Sequence, residues 1–273
     1  MKQQFMQAVE KLPVIGDLYR KLERRFFFRY VKRLRTDAGA RLALATNNTV
    51  KAGVFTGMKI HPHSAFGVDQ FTILSGQYES ELYEIILDAA AKNYDAFIDI
   101  GCANGFYAVG FAMISKDCDV IAYDINADAR RMTELNALMN GVASRVLIKN
   151  AATHLELGDR ILQRRKTFLL VDIEGAELDL IDPQKCPPLS QCDLLVEVHG
   201  RTDEVAAILL DRFSKTHNGR LIGRSPRNPF AFEYLPLDFE DEAWVIVSEG
   251  RRFVKNNWLF LEKTTFDEAH KKV

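Results

Sequence analysis

The chain has 273 residues, 47 % of them apolar and 27 % charged, with a formal net charge of −1 at pH 7. That is enough apolar material for one large core with an appendage, and the near-zero charge makes no case for specific nucleic-acid binding. The four cysteines form no C-x-x-C pair and read as reduced thiols of a cytoplasmic protein, while no stretch approaches the ~18 apolar residues of a membrane span or forms a signal-peptide core.

Residues 1–45 read as a basic amphipathic helical extension. Ile15, Leu18, Tyr19, Leu22, Phe26, Tyr30 and Leu34 recur at helical spacing, with Arg20, Lys21, Arg24, Arg25, Lys32 and Arg33 mostly between them. Residues 1–41 hold eleven Lys/Arg against four Asp/Glu, so this end carries +7 and the remainder −8. Such a helix packs its stripe on the main domain, makes a homo-oligomer contact, or lies on the inner face of a membrane. At an anionic surface each basic residue contributes ~1 kcal/mol. Residues 46–75 suggest short strands and loops. Their His61-Pro62-His63 has no acid or cysteine at ligand spacing and reads as a solvated loop rather than a metal site.

From Glu79 onward helices and strands alternate. A helix near 79–92 precedes strand 95–100, helix 105–116, strand 119–124 and helix 126–140, the last closed by Asn140-Gly141. Strand 145–149, a helix near 155–165, strand 167–171 and helix 174–182 follow. After a Pro-rich loop at 183–188 come strand 193–198, helix 202–217 closing at Asn218-Gly219, and strand 219–222. A second Pro-rich loop at 225–236, a helix near 238–250 and the strand Trp258–Leu261 complete the chain. This alternation predicts an α/β, Rossmann-like domain over 46–273, with a mainly parallel sheet covered on both faces.

The most informative stretch is Phe97-Ile98-Asp99-Ile100-Gly101-Cys102-Ala103-Asn104-Gly105. An apolar strand runs through an acid into a glycine turn and a helix, and the next strand ends in Asp124. Glycine at 101 and 105 lets the backbone adopt unusual dihedrals and approach a ligand closely. Asp124 stands where a carboxylate can accept both hydroxyls of a ribose, at roughly 1.5–3 kcal/mol each. A dinucleotide would require G-x-G-x-x-G, but Ala103 breaks that step, and Asp99 would repel a pyrophosphate. It would attract an ammonium instead. S-adenosylmethionine (SAM), with an ammonium, a sulfonium and no phosphate, suits the spacing better than a nicotinamide dinucleotide.

Two later strands also end in polar groups. Phe168–Val171 runs into Asp172-Ile173-Glu174-Gly175-Ala176-Glu177, and Leu194–Val196 into Glu197-Val198-His199. In a parallel sheet these ends lie beside the glycine turn, and Glu197 and His199, two apart, share a face. His199 or one of the carboxylates Asp172 and Glu197 is then a candidate general base for a hydroxyl proton. A divalent metal on Asp172, Glu197 and His199 is compatible with the set but is not the expectation. The bland alternative has Glu174 and Glu177 capping the next helix and His199 as a structural histidine.

With these residues in view, the chain resembles the FkbM family of SAM-dependent methyltransferases. The resemblance lies in Gly76–Leu82, Phe97–Gly105, Ala122–Asn126, Leu170–Glu177 and Val196–His199, within residues 75–262. It implies a seven-stranded sheet with an antiparallel last strand and O-methylation of a sugar, polysaccharide precursor or related small molecule. It also implies that Asp99, Gly101, Asn104 and Gly105 hold the methionine part of the cofactor, Asp124 the ribose, and the turn at Ala151 the adenine, with Asn126 and Asp172 also at the cofactor. Tyr78 and Glu79 would close over it. N-methylation, or an inactive SAM-binding accessory protein, are the alternatives.

Overall fold

The computed structural model describes residues 13–64, 69–199, 202–225, 227–228, 243–247 and 257–264. Seven strands form one sheet: β1 (Ala96–Ile100), β2 (Asp119–Tyr123), β3 (Val146–Lys149), β4 (Thr167–Val171), β5 (Asp193–Val198), β6 (His217–Ile222) and β7 (Asn257–Lys263). Their spatial order is β3-β2-β1-β4-β5-β7-β6. β7 is antiparallel to both neighbours and the other pairings are parallel. This is the Rossmann-like architecture expected, with the antiparallel strand where the sequence placed it. The order reverses at β1, between β2 and β4, and in open parallel sheets the crevice for a ligand opens beyond the strand ends at such a point.

The helices are α1 (Pro13–Thr46), α2 (Gln70–Leu74), α3 (Tyr83–Ala91), α4 (Phe106–Ile114), α5 (Ala127–Met139), α6 (His154–Leu162), α7 (Glu177–Leu180), α8 (Thr202–Phe213) and α9 (Ala243–Val247). All five residues of β1 are buried, because the strand is covered on both faces. Phe97 points to one side, stacked on Phe111 at 4.3 Å and tilted against Phe168. Ile98 and Ile100 point to the other, among Ile121, Leu169, Val171 and Leu194. Each such side chain removed from water contributes about 1.5–3 kcal/mol.

Three local expectations are corrected. In 46–75 the described residues form turns and α2, with a single isolated bridge between Thr49 and Lys59 in place of strands. The helix expected over 174–182 is confined to Glu177–Leu180, since Glu174 and Gly175 both take positive φ (54° and 109°) and no helix passes through such residues. Helix α8 ends at Phe213, and Asn218 and Gly219 are strand residues opposite Glu262 and Leu261. A Cβ on Gly219 would stand 2.2 Å from Leu210 of α8, so this glycine allows close helix–strand packing. The helix near 238–250 is described only as α9, and the Pro-rich loop at 225–236 falls mostly outside the described residues.

Helix α1 is both surface and core. Leu34, Ala38, Leu42 and Ala43 belong to the main core, and buried Arg35 donates from Nε to the Val245 carbonyl of α9 at 3.1 Å. The aromatic residues before it, Phe26, Phe28 and Tyr30, are more than half exposed. The stripe therefore packs on the domain from Leu34 on, while the side chains of Ile15, Leu18, Tyr19 and Leu22 lie outside the described residues. Among the described residues no helix is long and apolar enough to cross a membrane.

Candidate functional site

The ends of β1, β2, β3 and β4 open into a cavity of about 460 Å³. Gly101, Ala103, Asp124, Ala151, Asp172 and Glu174 lie on its wall, with apolar surface from Ile125, Ile173 and Leu180. Four of the residues expected at a cofactor site, Gly101, Asp124, Ala151 and Asp172, are thus brought together. A second, larger hollow of about 660 Å³ lies outside this rim, between α5 and β3.

Asp124 is held in place by the chain itself. The Ala103 N–H donates to its Oδ2 and the Asn126 N–H to its Oδ1, both at 2.8 Å. Each oxygen keeps a further lone pair for a donor in the cavity. Ala103 reaches this position only by adopting φ 49°, a left-handed conformation that costs a non-glycine residue about 1–2 kcal/mol. Gly101 has φ 88°, and a Cβ there would stand 1.7 Å from the Asp172 carbonyl oxygen. At Gly105 a Cβ would meet Thr133 at 2.7 Å. The two motif glycines thus make room for the protein's own chain: the first lets β1 and β4 turn out together, the second lets α4 start against α5.

Asp99 is 1 % exposed, in the body of β1, and neither carboxylate oxygen has a hydrogen-bond partner of good geometry. Burial and the nearby negative charge of Asp172 raise its pKa to about 8, against a smaller lowering by the Ala108 N–H. It does not line the cavity. Other expected contacts have structural partners. Glu79 is buried and accepts a hydrogen bond from Tyr107, and Tyr78 meets Phe106 edge-on at 5.6 Å. The Asn104 carbonyl accepts from Asn136 at 2.8 Å. The Asn126 side chain caps α5, accepting from the Asp128 N–H at 2.9 Å.

Beside the cavity stands the second polar cluster. Glu197 and His199 share a face, as the two-residue strand repeat requires. His199 Nδ1 bonds to Glu177 Oε1 at 2.7 Å, and the same oxygen accepts from the Gly175 N–H at 2.9 Å. Around His199 Nε2 stand Glu174 Oε2 at 3.4 Å, Glu197 Oε2 at 3.5 Å and Asp172 Oδ1 at 3.6 Å. The hydrogen bond to Glu177 raises the His199 pKa, helped by the charges of Asp172 and Glu174, while burial opposes the rise. Burial pushes Glu177 upward too, but its bonds from His199 and Gly175 outweigh it and leave its pKa below the ordinary value.

Glu177 is the residue whose role the sequence reading missed. It looked like one more acid at a helix start, yet it is 1 % exposed and orients the imidazole. The available signal was its spacing: Asp172 and Glu177 bracket a Glu-Gly turn that folds one acid back beneath the other.

No family model matches the chain, and no curated protein is significantly similar to it. Solved structures of similar fold include the C-terminal domain of precorrin-6Y C5,15-methyltransferase from Rhodobacter capsulatus. It is 17 % identical, the match covers 66 % of this chain and 86 % of that one, and the TM-score is 0.43. Cofactor-bound Rv0187 from MTB is 14 % identical over 65 % and 77 % of the two chains, with a TM-score of 0.42. An O-methyltransferase family protein from Burkholderia thailandensis is 8 % identical over 72 % and 60 %, with a TM-score of 0.40. At these scores the likeness carries no assignment of activity, which has to come from the site.

Proposed function

We propose that the protein is a SAM-dependent O-methyltransferase of the FkbM type, acting on a hydroxyl of a sugar, a polysaccharide precursor or a related small molecule. The observation that carries the reading is the juxtaposition, on two walls of one cavity, of an aligned carboxylate, Asp124, and of Asp172 and Glu174, behind which His199 stands. The cavity volume, about 460 Å³, falls within the ~300–1,000 Å³ usual for small-molecule sites.

The residues present fit the cofactor. Asp124 offers two fixed acceptors for a vicinal diol. Asp99, buried in the body of β1 and off the cavity wall, is not placed to meet the ammonium directly. Ile125, Ala151 and Ala152 supply apolar wall suited to a flat base. When bound, SAM supplies an electrophilic methyl group on a sulfonium, which passes to an acceptor oxygen while the C–S electron pair remains on sulfur. The protein holds the acceptor toward Asp172, with His199 and Glu197 behind it, and this cluster promotes loss of the hydroxyl proton, directly or through a bound cation. Positioning of this kind contributes ~7–11 kcal/mol to lowering a barrier, and proton removal about 3–5 kcal/mol.

Isothermal titration calorimetry with SAM and with its demethylated thioether product tests the reading. Both are expected to bind one equivalent while a nicotinamide dinucleotide gives no heat. Absence of binding at millimolar SAM overturns it.

A further inference from the structure

We propose that Asp172, Glu174 and His199 form a binding site for one divalent cation of the Mn²⁺ class, which presents two adjacent acceptor oxygens to the cavity. One ligand atom from each of the three residues can be chosen so that all lie within 4.8 Å of one another.

The acids alone would not make a site. The imidazole does. His199 is 9 % exposed, and its Nε2 has no hydrogen-bond partner although it points into the group of carboxylates. Its three oxygen neighbours stand at 3.4–3.6 Å, beyond the ~2.7–3.2 Å of a hydrogen bond. Ligands about 2.2–2.5 Å from a common ion are about 3.1–3.5 Å apart across a right-angled edge, close to the 3.4 and 3.6 Å from Nε2 to Glu174 and Asp172. Asp172 Oδ1 is also buried without a partner. Among the described residues no lysine or arginine forms an ion pair with Asp172, Glu174 or Glu177, and the His199 ring is their cationic neighbour, a place that a divalent ion can take from its proton.

The surroundings suit a ligand histidine. Glu177 accepts from Nδ1 at 2.7 Å, which leaves Nε2, once its proton is displaced, as the ligand atom facing the acids. A carboxylate behind a ligating imidazole is the usual support of such a metal ligand. One imidazole with carboxylates favours Mn²⁺ or a neighbouring transition ion over Ca²⁺. Glu174 is the exposed member, its side chain 82 % accessible. It takes φ 54° at the rim, leaving that side of the site open to an exogenous ligand. An acceptor with a vicinal diol or an α-hydroxycarboxylate would complete the shell, and the cation would acidify its hydroxyl. This acceptor part rests on the methyltransferase reading; the cation site does not.

The test uses the full chain after dialysis against a chelator, with Mn²⁺ as probe and free Mn²⁺ read by electron paramagnetic resonance. One equivalent is expected to bind with micromolar affinity, with or without SAM. Glu174→Gln, on an exposed side chain that the fold does not need, is expected to weaken binding at least about tenfold, and Glu177→Gln about 10–100-fold. No binding below millimolar Mn²⁺, or binding unchanged in Glu174→Gln and Asp172→Asn, overturns the proposal. Mn²⁺ bound in this way by a protein that gives no heat with SAM would sustain the cation site and remove the methyltransferase reading, so the two fail separately.

Discussion

Asp124 and Asp172 follow the two strands that flank β1 and line the same cavity, yet their surroundings are opposite. Asp124 has each oxygen held by a backbone N–H at 2.8 Å. Asp172 has one oxygen without a partner and faces His199, with Glu174 and Glu197 on the same nitrogen. A carboxylate already aligned by the backbone is a ready acceptor for hydroxyl donors and loses little entropy when they arrive. Carboxylates gathered round one imidazole nitrogen repel one another until a cation joins them. The two walls therefore offer different chemistry, fixed hydrogen-bond acceptors on one side and clustered carboxylates round an imidazole on the other.

The largest break in this comparison comes from Asp124→Ala. It removes the acceptor for two hydroxyls, worth about 3–6 kcal/mol together, so SAM affinity should fall at least about 100-fold by calorimetry. Mn²⁺ binding at His199 should be retained. A loss of affinity under about threefold would show that the diol is not held there.

Asp99→Asn is expected to change stability with a defined sign. The folded-state pKa of Asp99 is raised to about 8, so the fold keeps a proton that the unfolded chain gives up near pH 4. Stability on this account falls as pH rises from about 4 to about 8 and is level above. The asparagine variant should gain little at pH 4 and most above pH 8, by at most about 1.4 kcal/mol per pH unit across that range. Urea midpoints at the two ends of the range check this; a gain independent of pH would reject it.

Gly101→Ala acts where the two walls meet. The added carbon would stand 1.7 Å from the Asp172 carbonyl at φ 88°, and strain plus overpacking should cost about 3 kcal/mol. Urea unfolding would read it. The smallest effect is expected from Asn126→Ala, which removes the α5 cap at about 1 kcal/mol. SAM affinity should change less than about threefold, because the Asn126 backbone N–H still anchors Asp124. A larger loss would return the Asn126 side chain to the cofactor site.

Whereas the antiparallel last strand came from the family resemblance, the sequence by itself determined the alternation of strands and helices and the rim residues Gly101, Asp124 and Asp172. These are local properties: apolar runs of strand length, glycines at turns, acids at strand ends. It did not reveal where along α1 the stripe meets the domain, because helical spacing places Phe26 and Leu34 on one stripe and only the neighbours α2 and α9 decide where cover begins. Likewise Asn218-Gly219 has the signature of a helix end but sits in β6, since tertiary packing against Leu210 calls for a glycine there. The meaning of Glu177 and of Asp99 was settled only by the assembled fold. Whether an acid caps a helix, orients an imidazole or stands buried without a good partner depends on which distant groups the sheet brings within about 3 Å of it, and chain spacing carries no record of those distances.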